Sequence, residues 1–310
     1  MPASHSVAPV IIDTDPGIDD VVALALAARS PELGVAAVTT TYGNATLEAT
    51  TRNARDVLDL VDSPIPVFPG SHRPLERPLE TAPETHGATG VGWAPVSTEE
   101  PVASNPTVLL DLLEWSEEPV TLVTLGPLTN LAHALSVGPE FVRQRVRRHI
   151  GMFGSLREPG NTNRWADFNA WCDPEAADMV LRAELGTEMV GLDVTRRMVL
   201  DTAEVQRLAA SSDTLTNWLG RALKFYVDSH RSSSGIDGCV VHDVLPLGEL
   251  IAPGLLTLAE LPIDVNLDGG EHRGHTIECA DGVRTAVALE ADIGRMRELL
   301  VRVFGEEFEP

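Results

Sequence analysis

The pattern of apolar and polar positions at the start of the chain predicts strand, helix, strand, helix and strand in turn. Val10–Ile12 is an unbroken β-branched run, typical of a parallel strand that is covered on both faces. A helix is then predicted over Val21–Ala28, a strand over Gly34–Thr41, a helix over Leu47–Val61 and a strand over Pro66–Phe68. This order predicts an α/β fold with an open, mainly parallel sheet and helices on both faces. Ligands of such sheets bind at the carboxyl ends of the strands.

The rest of the chain continues this alternation, with one long exception. Residues 69–105 contain prolines at 69, 74, 78, 83, 95 and 101 and no clear element, so we expect a loop insertion that acts as a lid. Further strands are predicted over Val120–Leu125, Val146–Met152, Met189–Asp193, Ile263–Leu267, His275–Cys279 and Thr285–Leu289, the last three partly antiparallel. Further helices are predicted over Ser104–Trp115, Asn130–Leu135, Asp201–Leu208, Thr214–His230, Cys239–Ile251 and Ile293–Val303. Another helix is predicted to start at Asp173, and the polar segment Ser232–Gly235 is predicted to interrupt the helical pattern before Cys239. No linker is evident, so residues 1–310 are predicted to form a single domain.

Composition and charge narrow the classes of partner. The 310 residues carry a formal charge of −23, and their 23 basic residues are scattered, whereas nucleic acid or an anionic membrane surface requires a basic patch. No apolar stretch reaches the roughly 18 residues of a membrane span, and residues 1–9 lack the pattern of an export signal. The three cysteines lie far apart without metal-ligand spacing, which fits a reduced cytoplasm. We therefore expect a cytoplasmic protein with a small-molecule ligand.

Four aspartates crowd the turn after the first predicted strand. Asp13 and Asp15 point the same way from an extended chain, while Asp19 and Asp20 open the following helix. A helix N-terminus stabilises a surface anion by less than about 1 kcal/mol, which is too little for four carboxylates. Either some of them are protonated at neutral pH, or a hard cation such as calcium or magnesium lies among them. Helix capping beside a surface acidic cluster is the simpler alternative.

Later strand ends carry polar side chains of the same kind. Asn44 follows the second strand, and Asp243 follows an apolar run beside His242. His86 lies in the long loop, where it could reach a ligand. The loop after the fifth predicted strand contains Asn161, Asn163, Trp165, Asp167, Phe168 and Asn169. Each residue has an ordinary alternative as a cap, a packed residue or a solvated one. Together they predict a pocket of oxygens and amides with no cationic anchor, which suits sugar hydroxyls better than phosphates.

Several of these segments resemble the calcium-dependent nucleoside hydrolases, or inosine-uridine preferring nucleoside N-ribohydrolases. The stretch Asp13-Thr14-Asp15-Pro16-Gly17-Ile18-Asp19-Asp20 is similar to the highly specific N-terminal signature of that family. The resemblance continues in the family's order through Tyr42-Gly43-Asn44, Leu125-Gly126-Pro127-Leu128-Thr129-Asn130, Met152-Phe153-Gly154, Gly160-Asn161, Asp167-Phe168-Asn169, Cys172-Asp173-Pro174-Glu175-Ala176-Ala177 and Val241-His242-Asp243. It implies a single Rossmann-like α/β domain that hydrolyses ribonucleosides to free base and ribose.

The resemblance also implies a role for each matching residue. Ca²⁺ would be bound by Asp15, Asp20, the backbone carbonyl of Leu125 and Asp243, with Asp13 supporting the cluster from behind. A calcium-bound water would attack the sugar, with Asp15 as general base and His242 as a second catalytic residue near the nucleobase. The implied substrate-binding residues are Asp19, Asn44 and Asn169 for the 2′ and 3′ hydroxyls, Met152, Asn161 and Asp167 for the 5′ end, Tyr226 and His230 for the nucleobase, and His86 as a pocket histidine. A homo-oligomer, either dimer or tetramer, is also implied.

Two positions depart from the family's pattern. Asp167 stands where the family usually has a glutamate, so the contact to the 5′ hydroxyl and the retention of turnover are not implied. His230 and the serines 232–234 stand where relatives often carry aromatic or basic residues, so the resemblance does not decide between purines and pyrimidines. Whether His242, solvent or neither protonates the leaving base is also left open.

Two other functions fit parts of the sequence. A haloacid-dehalogenase-like phosphatase also has Asp-x-Asp after an apolar strand and uses magnesium, but its chemistry needs a lysine from a later strand. Lys224 is the single lysine of this chain and is predicted to lie within a helix. A calcium-dependent nucleoside- or sugar-binding protein without turnover would have the same pocket lining, so the sequence leaves that alternative open.

Overall fold

The computed structural model describes residues 8–98, 100–305 and 308. Its strands are β1 (Pro9–Thr14), β2 (Gly34–Thr40), β3 (Val67–Pro69), β4 (Val120–Thr124), β5 (Val146–Gly151), β6 (Glu188–Met189), β7 (Val199–Asp201), β8 (Gly238–Val240), β9 (Leu256–Val265), β10 (Thr276–Glu278) and β11 (Val283–Ala291). Its helices are α1 (Ile18–Ala28), α2 (Leu47–Leu60), α3 (Pro83–His86), α4 (Val108–Trp115), α5 (Thr129–Val137), α6 (Pro139–Arg145), α7 (Phe168–Cys172), α8 (Pro174–Arg182), α9 (Leu192–Thr195), α10 (Thr202–Ala209), α11 (Thr214–Ser234), α12 (Val244–Ile251) and α13 (Ile293–Phe304). Residues 1–7, which bear on the expected absence of an export signal, lie outside the described residues.

The main sheet contains nine strands in the order β10-β9-β11-β6-β5-β4-β1-β2-β3. The strands from β3 across to β11 pair in parallel, and β9 and β10 add an antiparallel edge. β7 and β8 form a separate antiparallel ribbon. The predicted single-domain α/β fold with a mainly parallel, partly antiparallel sheet is therefore confirmed. The strand order reverses between β1 and β4, and this switch point is where open α/β sheets bind ligands.

Helices cover both faces of this sheet because its central strands are apolar on both sides. One core contains the buried faces of α1, α2, α11, α12 and α13, and the other contains those of α4, α5 and α8. The β1 residues Val10, Ile11 and Ile12 are at most 4% exposed, as the unbroken β-branched run predicts. Asp13 pairs in register with Thr39 of β2 and Thr124 of β4, which brings three strand ends together at one edge of the sheet.

The serine run does not interrupt α11, contrary to the sequence-based prediction. The hydroxyls of Ser232, Ser233 and Ser234 each donate to the backbone carbonyl four residues earlier, which satisfies them within the helix. The helix ends instead at Gly235, whose φ of 71° is the left-handed conformation that glycine adopts readily. The helix therefore reaches one turn further along the cavity described below.

Other boundaries also differ from the predicted ones. The strand predicted over Met189–Asp193 ends at Met189, because Gly191 is the N-cap of the short helix α9. The helix predicted from Cys239 begins only at Val244, since residues 238–240 pair with β7. β9 begins well before the predicted Ile263, because its exposed positions mask the apolar pattern. The short elements α3, α6, α7 and β7 were not predicted, having too few residues to show a period.

The action of residues 69–105 as a lid stays a prediction. Among the described helices, none is long and apolar enough to cross a membrane.

Candidate active site

Five buried aspartates meet at the switch point of the sheet. Asp13 is the second-last residue of β1, Asp15 lies in the following turn, Asp19 and Asp20 lie in the first turn of α1, and Asp243 precedes α12. All five are at most 4% exposed. Carboxylate oxygens of Asp19, Asp20 and Asp243 lie within 4.8 Å of one another. This spacing equals two metal–oxygen distances of about 2.4 Å, so one calcium-sized ion could contact all three residues.

Two of the aspartates are held firmly by polar neighbours. Asp13 accepts hydrogen bonds on Oδ1 from the Thr39 hydroxyl and, at 2.7 Å, from the Asn130 amide. Asp20 accepts hydrogen bonds from the Thr14 hydroxyl, from the backbone N–H of residue 17 at 3.0 Å and from the Asn44 amide at 2.8 Å. These contacts fix the orientation of the carboxylates before any ligand binds.

Asp15 and Asp19 each keep one buried carboxylate oxygen without a hydrogen-bond partner among the described residues. The atoms are Asp15 Oδ1 and Asp19 Oδ1. The second oxygen of Asp15 accepts from the backbone N–H of Asn44 at 2.7 Å, and that of Asp19 accepts from the backbone N–H of His242 at 3.3 Å. Asp13 Oδ2 is also buried without a partner among the described residues. A buried oxygen without a partner is costly, so these three atoms indicate that a ligand or a proton binds at the cluster.

Burial raises the pKa of all five carboxyl groups. The pKa of Asp13 rises to about 7 through burial, and that of Asp19 rises to about 7 through burial and the nearby Asp20. For Asp15 and Asp243 the same two causes, burial and neighbouring carboxylates, raise the pKa well above its ordinary value. No ion pair between residues that the structure describes involves any of the five. A cation bound among these carboxylates would lower their pKa values and keep the cluster ionised at neutral pH.

Two glycines shape the site around Asp15. A Cβ atom on Gly43 would lie 2.0 Å from Asp15 Oδ2, and one on Gly126 would lie 2.4 Å from Asp15 Oδ1. Gly43 also has a φ of 153°, a conformation that side chains disfavour. The carboxylate thus lies in a slot that accommodates an aspartate or an isosteric asparagine but no longer side chain.

A cavity of about 650 Å³ opens over this cluster. It is within the range of small-molecule pockets, roughly 300–1,000 Å³. The predicted site residues that line it are Asp19, Asn44, His86, Leu125, Met152, Asn161, Asp167, Asn169, Tyr226, His230, His242 and Asp243. The predicted residues that do not line it are Asp13, Asp15 and Asp20, which lie fully buried at the cluster. The structure thus brings the predicted residues to one place, although their individual roles stay predictions.

Arg196 also lines the cavity, so the expectation of a pocket without a cationic side chain is wrong. Its guanidinium donates to the backbone carbonyls of Pro159 and Gly160 at 2.7 and 2.8 Å. Arg196 follows a four-residue helix that the sequence did not reveal, and no spacing or motif distinguishes it from the other arginines. Ser229, on α11, is a further lining residue that sequence reasoning missed; the helical period of the predicted helix places it beside Tyr226 and His230.

The pocket histidines are held in the neutral form. Burial lowers the pKa of His86 to about 3, and burial with the nearby His230 and Arg196 lowers that of His242 to about 3. His86 Nδ1 accepts from the backbone N–H of Ile18 at 3.1 Å, and the ring lies 5.1 Å from that of Tyr226. Neutral imidazoles can donate or accept hydrogen bonds in the pocket but carry no charge to attract an anion.

Asp167 uses its carboxylate to hold the backbone of its own loop. Oδ1 accepts from the N–H groups of Gly154 at 2.7 Å and Ala170 at 2.9 Å, and Oδ2 accepts from that of Asn169 at 3.1 Å. Asp167 is therefore the N-cap of α7. The Asn169 amide then donates to the carbonyls of Leu125 and Met152, so the cap also positions a predicted substrate-binding residue.

We expect Asp167→Ala to lower the free energy of unfolding by about 2 kcal/mol, since three N–H groups in a buried setting lose their acceptor. Urea unfolding followed by circular dichroism measures this change. Asp213→Ala is the matched control, because Asp213 is the exposed N-cap of α11 and its carboxylate accepts from the backbone N–H of Thr216. It should cost about 1 kcal/mol. An Asp167→Ala protein as stable as the wild type would show that the carboxylate is not the cap.

Comparison with known proteins places this arrangement in a family. Residues 10–298 match the model of the inosine-uridine preferring nucleoside hydrolases. The chain belongs to this family. The resemblance noted in the sequence is thus confirmed, and this nucleoside hydrolase is an enzyme that acts on N-glycosyl bonds.

Two relatives match most of the length of this nucleoside hydrolase. It is 38% identical over 274 residues to the pyrimidine-specific ribonucleoside hydrolase RihA of Enterobacter sp., with 87% of each chain covered. It is 36% identical over 303 residues to the non-specific ribonucleoside hydrolase RihC of Salmonella enteritidis, covering 95% of this chain and 97% of the relative. Its family therefore includes proteins with different base preferences.

Solved structures of nucleoside hydrolases share the fold. The plant nucleoside hydrolase PpNRh1 superposes with a TM-score of 0.86 at 32% identity, covering 96% of this chain and 99% of the plant one. A purine-preferring ribonucleoside hydrolase from Gardnerella vaginalis gives a TM-score of 0.87 at 29% identity, with the same coverage. The α/β architecture of this nucleoside hydrolase is therefore that of its family.

Proposed function

We propose that the protein hydrolyses the N-glycosidic bond of ribonucleosides with the help of a calcium ion bound by the aspartate cluster. The observation that carries the proposal is the set of carboxylates of Asp19, Asp20 and Asp243, buried without a counter-charge at the floor of a nucleoside-sized cavity. Family membership supplies the reaction class. The finer points, namely the metal, the base and the role of each residue, are parts of this proposal.

The donor set fits calcium. The cluster offers only oxygen atoms, which hard cations prefer, and Asp15 Oδ1 and Asp19 Oδ1 are buried without a partner among the described residues. Asp15, Asp20, Asp243 and the carbonyl of Leu125 are the proposed ligands. A calcium ion bound there would lower the pKa of a coordinated water and orient two vicinal hydroxyls of ribose.

The lining residues divide the cavity into a sugar end and a base end. We assign Asp19, Asn44 and Asn169 to the ribose hydroxyls, because they contact the aspartate cluster or the carbonyl of Leu125 directly. Met152, Asn161 and Asp167 are assigned to the 5′ end. The residues assigned to the nucleobase are His86, Tyr226, His230 and His242, which lie together in the structure.

Asp15 is the proposed general base. Its Oδ1 would accept one proton of the attacking water, and the remaining hydroxide would form a bond to the anomeric carbon of ribose. The bond from that carbon to the base nitrogen breaks, and its electron pair leaves with the base. Neighbouring carboxylates stabilise the positive charge that develops on the sugar. The base finally gains a proton, so a nucleoside and a water give ribose and a free base.

The proposal is tested by incubating the purified protein with inosine, uridine and cytidine in turn and measuring free ribose. We expect ribose and free base in equal amounts from at least one of them. Binding by calorimetry without ribose release would instead identify a nucleoside-binding protein that lacks turnover. The three rates also measure base preference, which the relatives do not decide because their names include pyrimidine-specific and non-specific enzymes.

The phosphatase alternative loses support in the structure. That chemistry needs a lysine near the Asp-x-Asp turn, and Lys224 lies exposed on α11. Its side chain is absent from the set of residues that line the cavity.

A further inference from the structure

Thr195 is a buried hydroxyl residue directly behind His242. It ends the short helix α9 and is fully buried, and its Oγ1 lies 2.8 Å from His242 Nδ1. The ring of His242 lines the cavity, whereas Thr195 does not. Thr195 could therefore influence a ligand only through the histidine.

The direction of this hydrogen bond follows from the number of partners. Within the described residues, His242 Nδ1 is the one hydrogen-bond partner of the Thr195 hydroxyl. If Nδ1 carried the ring proton and donated it, the proton of the threonine hydroxyl would remain buried without an acceptor, which costs about 1–3 kcal/mol. Thr195 is therefore the donor and Nδ1 the acceptor. In the neutral ring the proton then lies on Nε2.

His86 has the same arrangement for a simpler reason. The backbone N–H of Ile18 can only donate, so His86 Nδ1 must accept and Nε2 carries the proton. For both histidines the described residues provide no hydrogen-bond partner for Nε2. Neither Nε2 atom is among the fully buried polar atoms that lack a partner. Both rings line the cavity. The pocket thus presents two N–H donors rather than two acceptors.

We propose that Thr195 is a positioning residue that holds His242 with its Nε2–H directed into the cavity, where it donates to the departing nucleobase. This inference rests on the proposed function. As the bond to the sugar breaks, the electron pair remains on the base, and a donor already in place stabilises the charge that develops there. Without Thr195, the ring can rotate or take the other tautomer, and an unprotonated Nε2 would repel the base. The Arg196 contacts to residues 159 and 160 do not involve the threonine hydroxyl.

The test compares two substrates that differ in their need for a donor. The base of inosine or uridine is a poor leaving group, whereas para-nitrophenyl β-D-ribofuranoside releases the stable nitrophenolate anion, which needs no donor. We expect Thr195→Val to lower kcat for the nucleoside by about 100-fold, the usual loss when one such donor is removed. For the nitrophenyl riboside we expect a change of less than about 3-fold. Thr195→Ser, which keeps the hydroxyl, should restore the nucleoside rate to within about 3-fold.

The chain offers a matched control in Thr187. Its hydroxyl lies 2.9 Å from Nδ1 of His149, another buried histidine, which does not line the cavity. Thr187→Val removes an equivalent contact, and we expect it to leave the ratio of the two substrate rates unchanged. In a His242→Ala protein, Thr195→Val should have no further effect on the nucleoside rate, because the residue through which it acts is gone.

The ratio of the two rates does not depend on the fraction of folded protein, so a partly unfolded variant still gives an answer. An equal loss on both substrates, or no loss on either, would overturn the role of Thr195. If the wild type released ribose from neither substrate, the proposed function would be contradicted. The failure of the proposed function is thus distinguishable from the failure of the role of Thr195.

Discussion

Asp15→Asn is expected to lower kcat for ribonucleoside hydrolysis by about 100- to 10,000-fold, the usual contribution of a general base. The asparagine has nearly the same shape, but its amide cannot take a proton from water. Its amide oxygen, placed where Asp15 Oδ2 lies, can still accept the hydrogen bond that Asn44 N–H donates there at 2.7 Å. Affinity for the nucleoside should therefore change little, and the loss should appear in kcat.

The structure explains why asparagine is the informative replacement at this position. Cβ atoms on Gly43 and Gly126 would lie 2.0 and 2.4 Å from the Asp15 carboxylate, so the slot leaves no room for glutamate. Asp15→Glu would displace the backbone or the aspartate cluster, so a loss of activity could come from the altered structure as well as from the loss of the general base. Asp15→Asn removes the charge and keeps the volume.

Steady-state kinetics at saturating calcium measures the effect, with Asp268→Asn as a control at an exposed acid. Thermal unfolding in a chelator supplies a second readout. Because burial raises the pKa of Asp15, its ionisation destabilises the metal-free fold. The metal-free asparagine variant should then be at least as stable as the wild type at pH 8. Turnover at the wild-type rate would remove Asp15 as the base.

The sequence predicted the centre of the molecule well because the signals there are local. A β-branched run followed by four aspartates in one turn predicts a buried strand and an ion site without reference to the rest of the chain. Strand ends in a parallel sheet meet at one edge, so Asn44, Leu125 and Asn169 could be expected there before the structure was known. The observed register of Asp13 with Thr39 and Thr124 brings those ends together.

The parts that sequence reasoning missed depend on contacts between distant segments. Thr195 ends a four-residue helix and Arg196 follows it. This helix is too short to show a period, and the partners of the two residues are 47 and 36 residues away. The contact of Asp167 with the N–H of Gly154 joins residues 13 apart, and only the folded loop brings them together. The predicted end of α11 was wrong because the serine hydroxyls donate to backbone carbonyls four residues earlier, within the helix.

Removal of divalent metal is expected to stop ribose release and to lower the melting temperature more at pH 8 than at pH 5. The proposed ion neutralises carboxylates that burial keeps from ionising easily, so protons compete with it at low pH. Protein dialysed against a chelator should regain activity with calcium. Magnesium should restore less, since it demands near-ideal octahedral geometry at shorter distances.

The sign of the pH dependence follows from the raised pKa values. In the metal-free fold the pKa of Asp13 and that of Asp19 are about 7, and those of Asp15 and Asp243 also lie above the ordinary 3.8. Between pH 4 and about 7 the folded state therefore binds more protons than the unfolded chain. The stability that these carboxyl groups contribute is fully present below pH 4 and is lost as the pH rises through their folded-state pKa values. Bound metal opposes that loss.

Melting temperatures with and without calcium at pH 5 and pH 8 measure the difference. At a calcium concentration about 100 times the dissociation constant, binding adds about 2.7 kcal/mol, which corresponds to about 5 °C or more at pH 8. At pH 5 the increase should be much smaller, because protons already occupy the carboxylates. Asp243→Asn should reduce the increase at pH 8, since it removes one of the three clustered carboxylates, whereas Asp268→Asn should not. An equal increase at both pH values would mean that calcium binds elsewhere, and the cluster would then need another explanation for its buried charge.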